Sequence, residues 1–268
     1  MRMSGRVLIV AGSDSGGGAG IQADIKTVTA LGGYAATAIT ALTAQNTQGV
    51  FGIVGVEPVF IAQQMQVVLA DIGADCVKTG MLHSAAVINT VVEMLDRMAA
   101  DIPLVVDPVM YAKGGDLLLD PEARDTLIHQ LLPRAALITP NVREAEALSG
   151  LTIRTPDDLA AAARQLLELG PAAVLAKGGH LAGATVTDWL VWRGGAEAFV
   201  APRSASRRTH GAGCTLASAV ATGLAQGLAL NTAVQRALAY VREAIRTAPA
   251  LGQGCGPLNH GHTVCGEI

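Results

Sequence analysis

Arg6-Val7-Leu8-Ile9-Val10-Ala11-Gly12 decides how the chain folds. It is a short, unbroken apolar run closed by glycine, and a strand apolar on both faces belongs in a parallel sheet with helices on each side. Ser13-Asp14-Ser15-Gly16-Gly17-Gly18-Ala19-Gly20 then makes a glycine-rich loop, and Ile21-Gln22-Ala23-Asp24-Ile25-Lys26 opens a helix. The loop lacks the Gly-Lys-Ser/Thr ending of a Walker loop and is out of register for G-x-G-x-x-G. Its glycines, with Gly12 at the strand end, instead admit a flat ligand close to the backbone. Asp24, one turn into the helix, either accepts a hydrogen bond from that ligand or is a solvated carboxylate favoured by the helix dipole.

The same alternation continues outward. Residues 35–42 read as a strand and 43–50 as the polar loop leaving it, where Gln45 carries both a donor and an acceptor. That suits the edge of a heteroaromatic ring, or plain solvation. A helix is expected over 58–71, with Pro58 in its first turn. Residues 75–82 give a strand and its exit loop, in which Met81 either pads a ligand ring or belongs to the core. Further helices are expected over 84–99, 122–132, 156–169 and 232–247, with strands over 104–110, 136–141 and 173–179. Residues 187–192 and 197–201 form a hairpin across Gly194-Gly195. The expectation is one α/β domain over 1–268, with a central, mostly parallel sheet, helices on both faces and a small hairpin.

Composition narrows the function. Half of the 268 residues are hydrophobic, 3% are aromatic and 15% are charged, so the core is aliphatic. A net charge of -3 without a basic block argues against nucleic acid or an anionic membrane as the main partner. The charge-free stretches 27–56 and 209–235 are too polar and too broken by small residues to cross a bilayer. The amino-terminal residues run straight into a strand instead of a signal-peptide core, and the expectation is a cytoplasmic protein. Cys76, Cys214, Cys255 and Cys265 show no CxxC spacing, so neither a disulfide framework nor a zinc site is indicated.

Thr209-His210-Gly211-Ala212-Gly213-Cys214 stands directly before an apolar helical run. Free amides and the macrodipole at a helix start bind anions. Cys214 lies in that field, where a thiol ionises more easily than usual, unless it is simply a small buried residue. Asp107, Asn141 and Lys177 each stand just past the C-terminal end of a short apolar strand, and Gly12 and Gly80 end two others. In an open parallel sheet that edge is where ligands bind. Asp107 and Glu144 offer hard oxygens suited to Mg2+, Lys177 can neutralise a nucleotide phosphate, and residues 211–214 can hold a group in transfer. Together these point to phosphoryl transfer.

Several stretches, in order along nearly the whole chain, resemble hydroxymethylpyrimidine/phosphomethylpyrimidine kinases of the ribokinase superfamily. They are residues 11–24, 41–47, 78–82, Asp107-Pro108-Val109-Met110, Thr139-Pro140-Asn141, Lys177-Gly178-Gly179-His180 and His210-Gly211-Ala212-Gly213-Cys214. The resemblance implies phosphorylation of 4-amino-5-hydroxymethyl-2-methylpyrimidine, first to the monophosphate and then to the diphosphate, with ATP and Mg2+, in thiamine biosynthesis. It implies a pyrimidine site at Gly12, Asp24, Gln45, Met81 and Val109. It also implies nucleotide contacts from Asn141, Lys177, Gly211 and Gly213, and Mg2+ near Asp107 and Glu144. The catalytic set is then Lys177 with Gly211, Ala212, Gly213 and Cys214, the last where many superfamily relatives carry Asp as the base. A homodimer is also implied. Ala212 where Thr is more frequent, and Arg143 before Glu144 where Pro is frequent, depart from the pattern without removing a reacting group. A pyridoxal or pyridoxine kinase of the same fold is the alternative, and a non-catalytic pyrimidine sensor a further one. The sequence leaves open whether residues 113–116 close as a lid, and the tail 254–268 reads as solvated, with His260 and His262 as weak metal ligands at most.

Overall fold

The structure is a computed structural model that describes residues 3–111, 118–120, 122–206 and 208–264. The elements run β1 (Arg6–Asp14), α1 (Gly20–Ala30), β2 (Tyr34–Gln45), β3 (Val50–Gly55), α2 (Pro58–Asp71), β4 (Cys76–Thr79), α3 (Ala85–Met98) and β5 (Leu104–Val106). After the short α4 (Ala123–Thr126) come β6 (Leu137–Ile138), α5 (Val142–Ser149), α6 (Pro156–Leu167), β7 (Ala173–Ala176), β8 (Thr185–Trp192), β9 (Gly195–Pro202), α7 (Ala212–Ala225) and α8 (Leu230–Arg246). Among the described residues one nine-stranded sheet has the order β3-β2-β1-β4-β5-β6-β7-β8-β9. The six strands from β2 to β7 are parallel, and antiparallel β3 and the β8–β9 hairpin extend the edges. Strand order reverses on either side of β1, which opens a crevice at the carboxyl ends of the strands.

Residues 7–10 of β1 have no exposed surface, as the opening run requires. Alternate side chains feed two cores. Leu8, Val10 and Val77 join α2, α3 and α6 on one face, while Val7, Ile9 and Cys76 join α1, α7 and α8 on the other. The helix starts follow their local sequence. Pro58 stands in the first turn of α2, and Ser84 Oγ accepts from the Val87 amide at α3. Asn141 and Thr155 build capping boxes with Glu144 and Asp158.

Three expectations on local structure need correction. β2 continues to Gln45 and pairs with β3, so 43–50 is not simply a loop. A strand at a sheet edge, half in solvent, lacks the apolar run that marks an interior one. The stretch 122–132 is broken into α4, a π-helical turn (Leu127–Leu131) and a 3-10 turn (Leu132–Arg134) containing Pro133. The tail is not solvated at His260, which is 5% exposed, lies 3.0 Å from Thr215 Oγ1 through Nε2 and accepts from Tyr240 at its carbonyl. Residues 113–116 and Cys265 lie outside the described residues.

Burial pushes the His260 imidazole down from 6.5 to about 4. Below pH 6.5 the unfolded chain takes up a proton there that the folded chain refuses until about pH 4. Stability present above 6.5 therefore drains as pH falls through that window, by about 3 kcal/mol in all. Urea unfolding of the wild type and His260→Gln at pH 7 and pH 4.5 should show a smaller acid loss in the variant. Equal losses would remove His260 from the account.

Candidate active site

The β1–α1 loop, the end of β2, the exits of β4 to β7 and the start of α7 meet at the crevice. Gly211 caps α7 in the left-handed region with φ 79°, and no side chain caps the helix. The Ala212 amide donates to the Thr209 carbonyl at 3.2 Å, so the amides of Gly213 and Cys214 are the ones a bound anion would meet. A Cβ built on Gly213 would lie 3.1 Å from Lys177 Nζ and 3.5 Å from Asp107 Oδ2, so the turn faces both side chains at contact distance. Lys177 Nζ donates to Asp107 Oδ1 at 3.1 Å, and Thr139 Oγ1 donates to the same oxygen at 3.1 Å. Burial would lower the Lys177 ammonium, but Asp107 and Glu144 hold it above its ordinary value, so it stays charged. Asn141 pairs with Lys177 in a parallel bridge and shares its capping box with Glu144. Burial pushes the Glu144 carboxyl up to about 7, against the pull of Lys177.

A small apolar cluster lies beside these strand exits. Met81 clusters with Ala41, Leu118, Ile53 and Val109, and its sulfur would lie 3.3 Å from a Cβ on Gly12. Gln45 ends β2, four residues beyond Ala41 of this cluster, with its side-chain oxygen 3.1 Å from Thr43 Oγ1 and its nitrogen 3.4 Å from His210 Nε2. His210 Nε2 is 2.9 Å from Asp14 Oδ2, and the Asp14 carboxylate also accepts from the amides of Gly16, Gly18 and Ala19. Burial raises the Asp14 carboxyl, and His210 with those amides more than offsets it, leaving it below its usual range.

Polar chemistry for an anion thus lies on one side and a small apolar cluster on the other, with the Gln45 amide at the end of β2. The phosphomethylpyrimidine kinase family model matches residues 14–259. The chain belongs to the phosphomethylpyrimidine kinase family. It is 53% identical over 96% of its length to the thiamine biosynthesis bifunctional protein ThiED of Geobacter sulfurreducens, and spans 52% of that protein. With the hydroxymethylpyrimidine/phosphomethylpyrimidine kinase of Streptomyces coelicolor it shares 48% identity, covering 95% of this chain and 94% of the relative. Among solved structures, a Staphylococcus aureus pyridoxal kinase in complex with ADP matches with a TM-score of 0.89 at 33% identity, covering 96% of this chain and 94% of that one. The fold is ribokinase-like, as the motifs imply.

Gly12, Met81 and Val109 lie together, with Gln45 apart from them beside His210, and Asp107, Asn141, Glu144, Lys177 and residues 211–214 form a second group. Two expectations fail. Asp24 has no exposed surface, and its two oxygens are taken by Lys78 Nζ at 2.8 Å and Ser218 Oγ at 2.7 Å, so it does not offer a free acceptor to a ring. Cys214 is not a ready thiolate. Burial pushes its thiol up to about 12, with Asp24 and Asp107 adding to the rise and Lys78 and the Gly20 amide opposing it. The field of the helix start is outweighed by desolvation. Among the described residues there is no group of three His, Cys, Asp or Glu side chains able to hold a metal.

Sequence reasoning missed Lys78, Asp14, His210 and Ser218. Lys78 had a signal: a lone ammonium in an apolar central strand requires a buried counter-charge. Asp14 had one too, since Asp followed by glycines accepts the amides of its own turn.

At φ 79° an L-side chain costs about 1–2 kcal/mol. A Cβ on Gly211 would also lie 1.9 Å from the Gly18 carbonyl oxygen, whereas one on Gly213 meets the movable Lys177 terminus at 3.1 Å. Gly211→Ala should therefore weaken calorimetric binding of a nucleoside triphosphate more than Gly213→Ala does, by tenfold or more on the order expected from these energies. The reverse ranking would remove residue 211 from the anion turn.

Proposed function

We propose that this protein transfers the γ-phosphoryl group of ATP to the hydroxymethyl oxygen of 4-amino-5-hydroxymethyl-2-methylpyrimidine, and then phosphorylates the monophosphate, in the cytoplasm as part of thiamine biosynthesis. The observation that carries this reading is the facing of Gly213 with Lys177 and Asp107. It sets an anion-holding helix start against a cation and a carboxylate, beside a small apolar cluster and with Gln45 at the end of β2. Identity of 48–53% to relatives named for thiamine synthesis or for the pyrimidine kinase, against 33% to the pyridoxal kinase, favours the pyrimidine over pyridoxal.

Met81 and Val109 form the apolar surface the ring rests on in this reading, and Gln45 pairs with its edge. The hydroxymethyl oxygen attacks the γ-phosphorus as the bond to the β,γ-bridging oxygen breaks. Lys177 and the amides of Gly213 and Cys214 meet the charge of the moving group, and positioning supplies most of the rate. Mg2+ suits the donors present, because it is usually held by one or two carboxylates together with phosphates and water. Asp107 Oδ2 faces the anion turn, while Oδ1 is occupied by Lys177 and Thr139. Glu144 is the acidic neighbour that would add negative charge beside the ion, its Oε2 accepting from the Asn141 amide. When bound, the ion neutralises phosphate charge.

Cys214 takes the proton of the attacking hydroxyl. A base whose pKa is about 12 is ionised in only a small fraction of molecules at neutral pH, and that fraction grows about tenfold per pH unit. With purified protein and MgATP, kcat on the pyrimidine alcohol should therefore climb between pH 6 and 9, and pyridoxal should turn over more slowly. Cys214→Ala should lose that climb and about 100- to 10,000-fold in kcat. No turnover of either alcohol would reject the kinase reading, and wild-type turnover by Cys214→Ala would reject the thiol as base.

Gln45→Leu should weaken the pyrimidine by about 1–3 kcal/mol through unpaired ring-edge groups, with MgATP binding unchanged. Calorimetry showing the opposite pattern would move Gln45 to the nucleotide side.

The protein forms a homodimer through the β3 edge and α2. Phe51, Val54, Val59 and Phe60 are 70%, 67%, 77% and 54% exposed there, a density of apolar surface that suits association of a second copy. Sedimentation should give a dimer for the wild type and a monomer for Phe51→Lys/Val54→Lys. A monomeric wild type would overturn this.

A further inference from the structure

Lys78 is among the largest side chains with no exposed surface. It sits in β4, in register with Ile9 of β1 and Val105 of β5, at the centre of the sheet. Strand alternation directs it to the same face as Cys76, into the core beneath α1 and α7. Its ammonium donates to Asp24 Oδ2 at 2.8 Å, and Ser218 Oγ donates to Asp24 Oδ1 at 2.7 Å. Burial would pull Lys78 down, and Asp24 with the neighbouring acidic groups holds it above its ordinary value. Replacing such a buried pair by apolar residues is often neutral or stabilising, so stability alone does not explain its place here.

Its position does. Asp24 stands four residues after Gly20, and Ser218 four residues after Cys214, so each lies one helical turn below a residue of the crevice. The Gly20 amide points to the Cys214 sulfur. Lys78 Nζ lies 3.1 Å from a Cβ built on Gly80, directly under the β4 exit that leads to Met81. One buried ion pair therefore ties together three elements that deliver the glycine loop, the apolar cluster and the anion turn. The charged groups acting on Cys214 are Lys78 from β4, Asp24 from α1, Asp107 after β5 and Lys177 after β7, two cations and two acids.

We propose that Lys78, held by Asp24 and Ser218, is a positioning residue for phosphoryl transfer that sets α7 and its Cys214 against the glycine loop. This rests on the reading that Cys214 takes part in the transfer. The test uses Lys78→Met/Asp24→Leu, which removes both charges and leaves none uncompensated, with Ser218→Ala as a milder change that keeps the ion pair. Fold is checked by thermal unfolding, expected within a few degrees of wild type. The double variant removes a cation and an anion whose effects on the thiol oppose each other, so iodoacetamide labelling of Cys214, read by peptide mass at several pH values, reports how α7 is seated and should be about tenfold faster at each pH once the pair no longer holds α7 against the glycine loop. The kcat of the double variant should fall tenfold or more, with KM for pyrimidine and MgATP within about threefold, and Ser218→Ala should lie between it and the wild type. Wild-type labelling and kcat in the folded double variant would overturn the proposal, as would a raised pyrimidine KM with kcat intact, which would return Asp24 to the ring. A double variant that does not fold leaves the decision to Ser218→Ala, where unchanged labelling and kcat overturn it. Failure of the Cys214 reading is seen separately, as wild-type turnover by Cys214→Ala, because labelling reports the sulfur's surroundings whether or not it reacts in catalysis.

Discussion

The site depends on how closely two backbones approach. The Gly18 carbonyl occupies the space where any side chain on residue 211 would begin, and His210 fills the space beside Gly18. Loops 193 positions apart therefore meet backbone to backbone, and their contact fixes where the open end of α7 points. His210 adds a polar clasp, joining the Asp14 carboxylate that already gathers the amides of its own loop. Rigidity in the glycine-rich loop comes from these contacts, since the glycines themselves confer only freedom.

Charge in the crevice is layered. Lys78 and Asp24 form a sealed pair in the core, Lys177 and Asp107 a second pair at its mouth, and Glu144 lies beside the latter. Each cation has an acid at hydrogen-bond distance, which keeps both ammonium groups ionised where isolated charges would be too costly. The outer pair keeps one carboxylate oxygen turned toward the anion turn, while the inner pair has both oxygens engaged. Depth thus divides similar residues between contact with a ligand and support of the scaffold.

Much of this was legible in the chain because it rests on local patterns. The apolar runs ending in Gly12, Asp107, Asn141 and Lys177 mark strands and the rim they share, Pro58 marks the start of α2, and Gly194-Gly195 marks the hairpin turn. What escaped is tertiary. Lys78 and Asp24 are 54 residues apart, and nothing near either announces the other. The state of Cys214 is set by how deeply its sulfur lies, which a helix-start pattern does not encode. β3 escaped because a half-solvated edge strand has no continuous apolar run, and His260 because a glycine-rich tail reads as loose until its docking under α7 is seen.

That docking bears on how the protein is made. The Cys255 amide donates to the Thr47 carbonyl and the His210 amide to the Gly256 carbonyl, so the last described stretch stitches the end of β2 to the anion turn. A chain leaving the ribosome can pair its early strands long before these residues exist, but its crevice stays unstitched until they emerge. Contacts of such wide separation form late because loop closure must precede them. Nascent chains therefore carry a paired sheet whose crevice is closed only when residues 255 and 256 have been made and have docked.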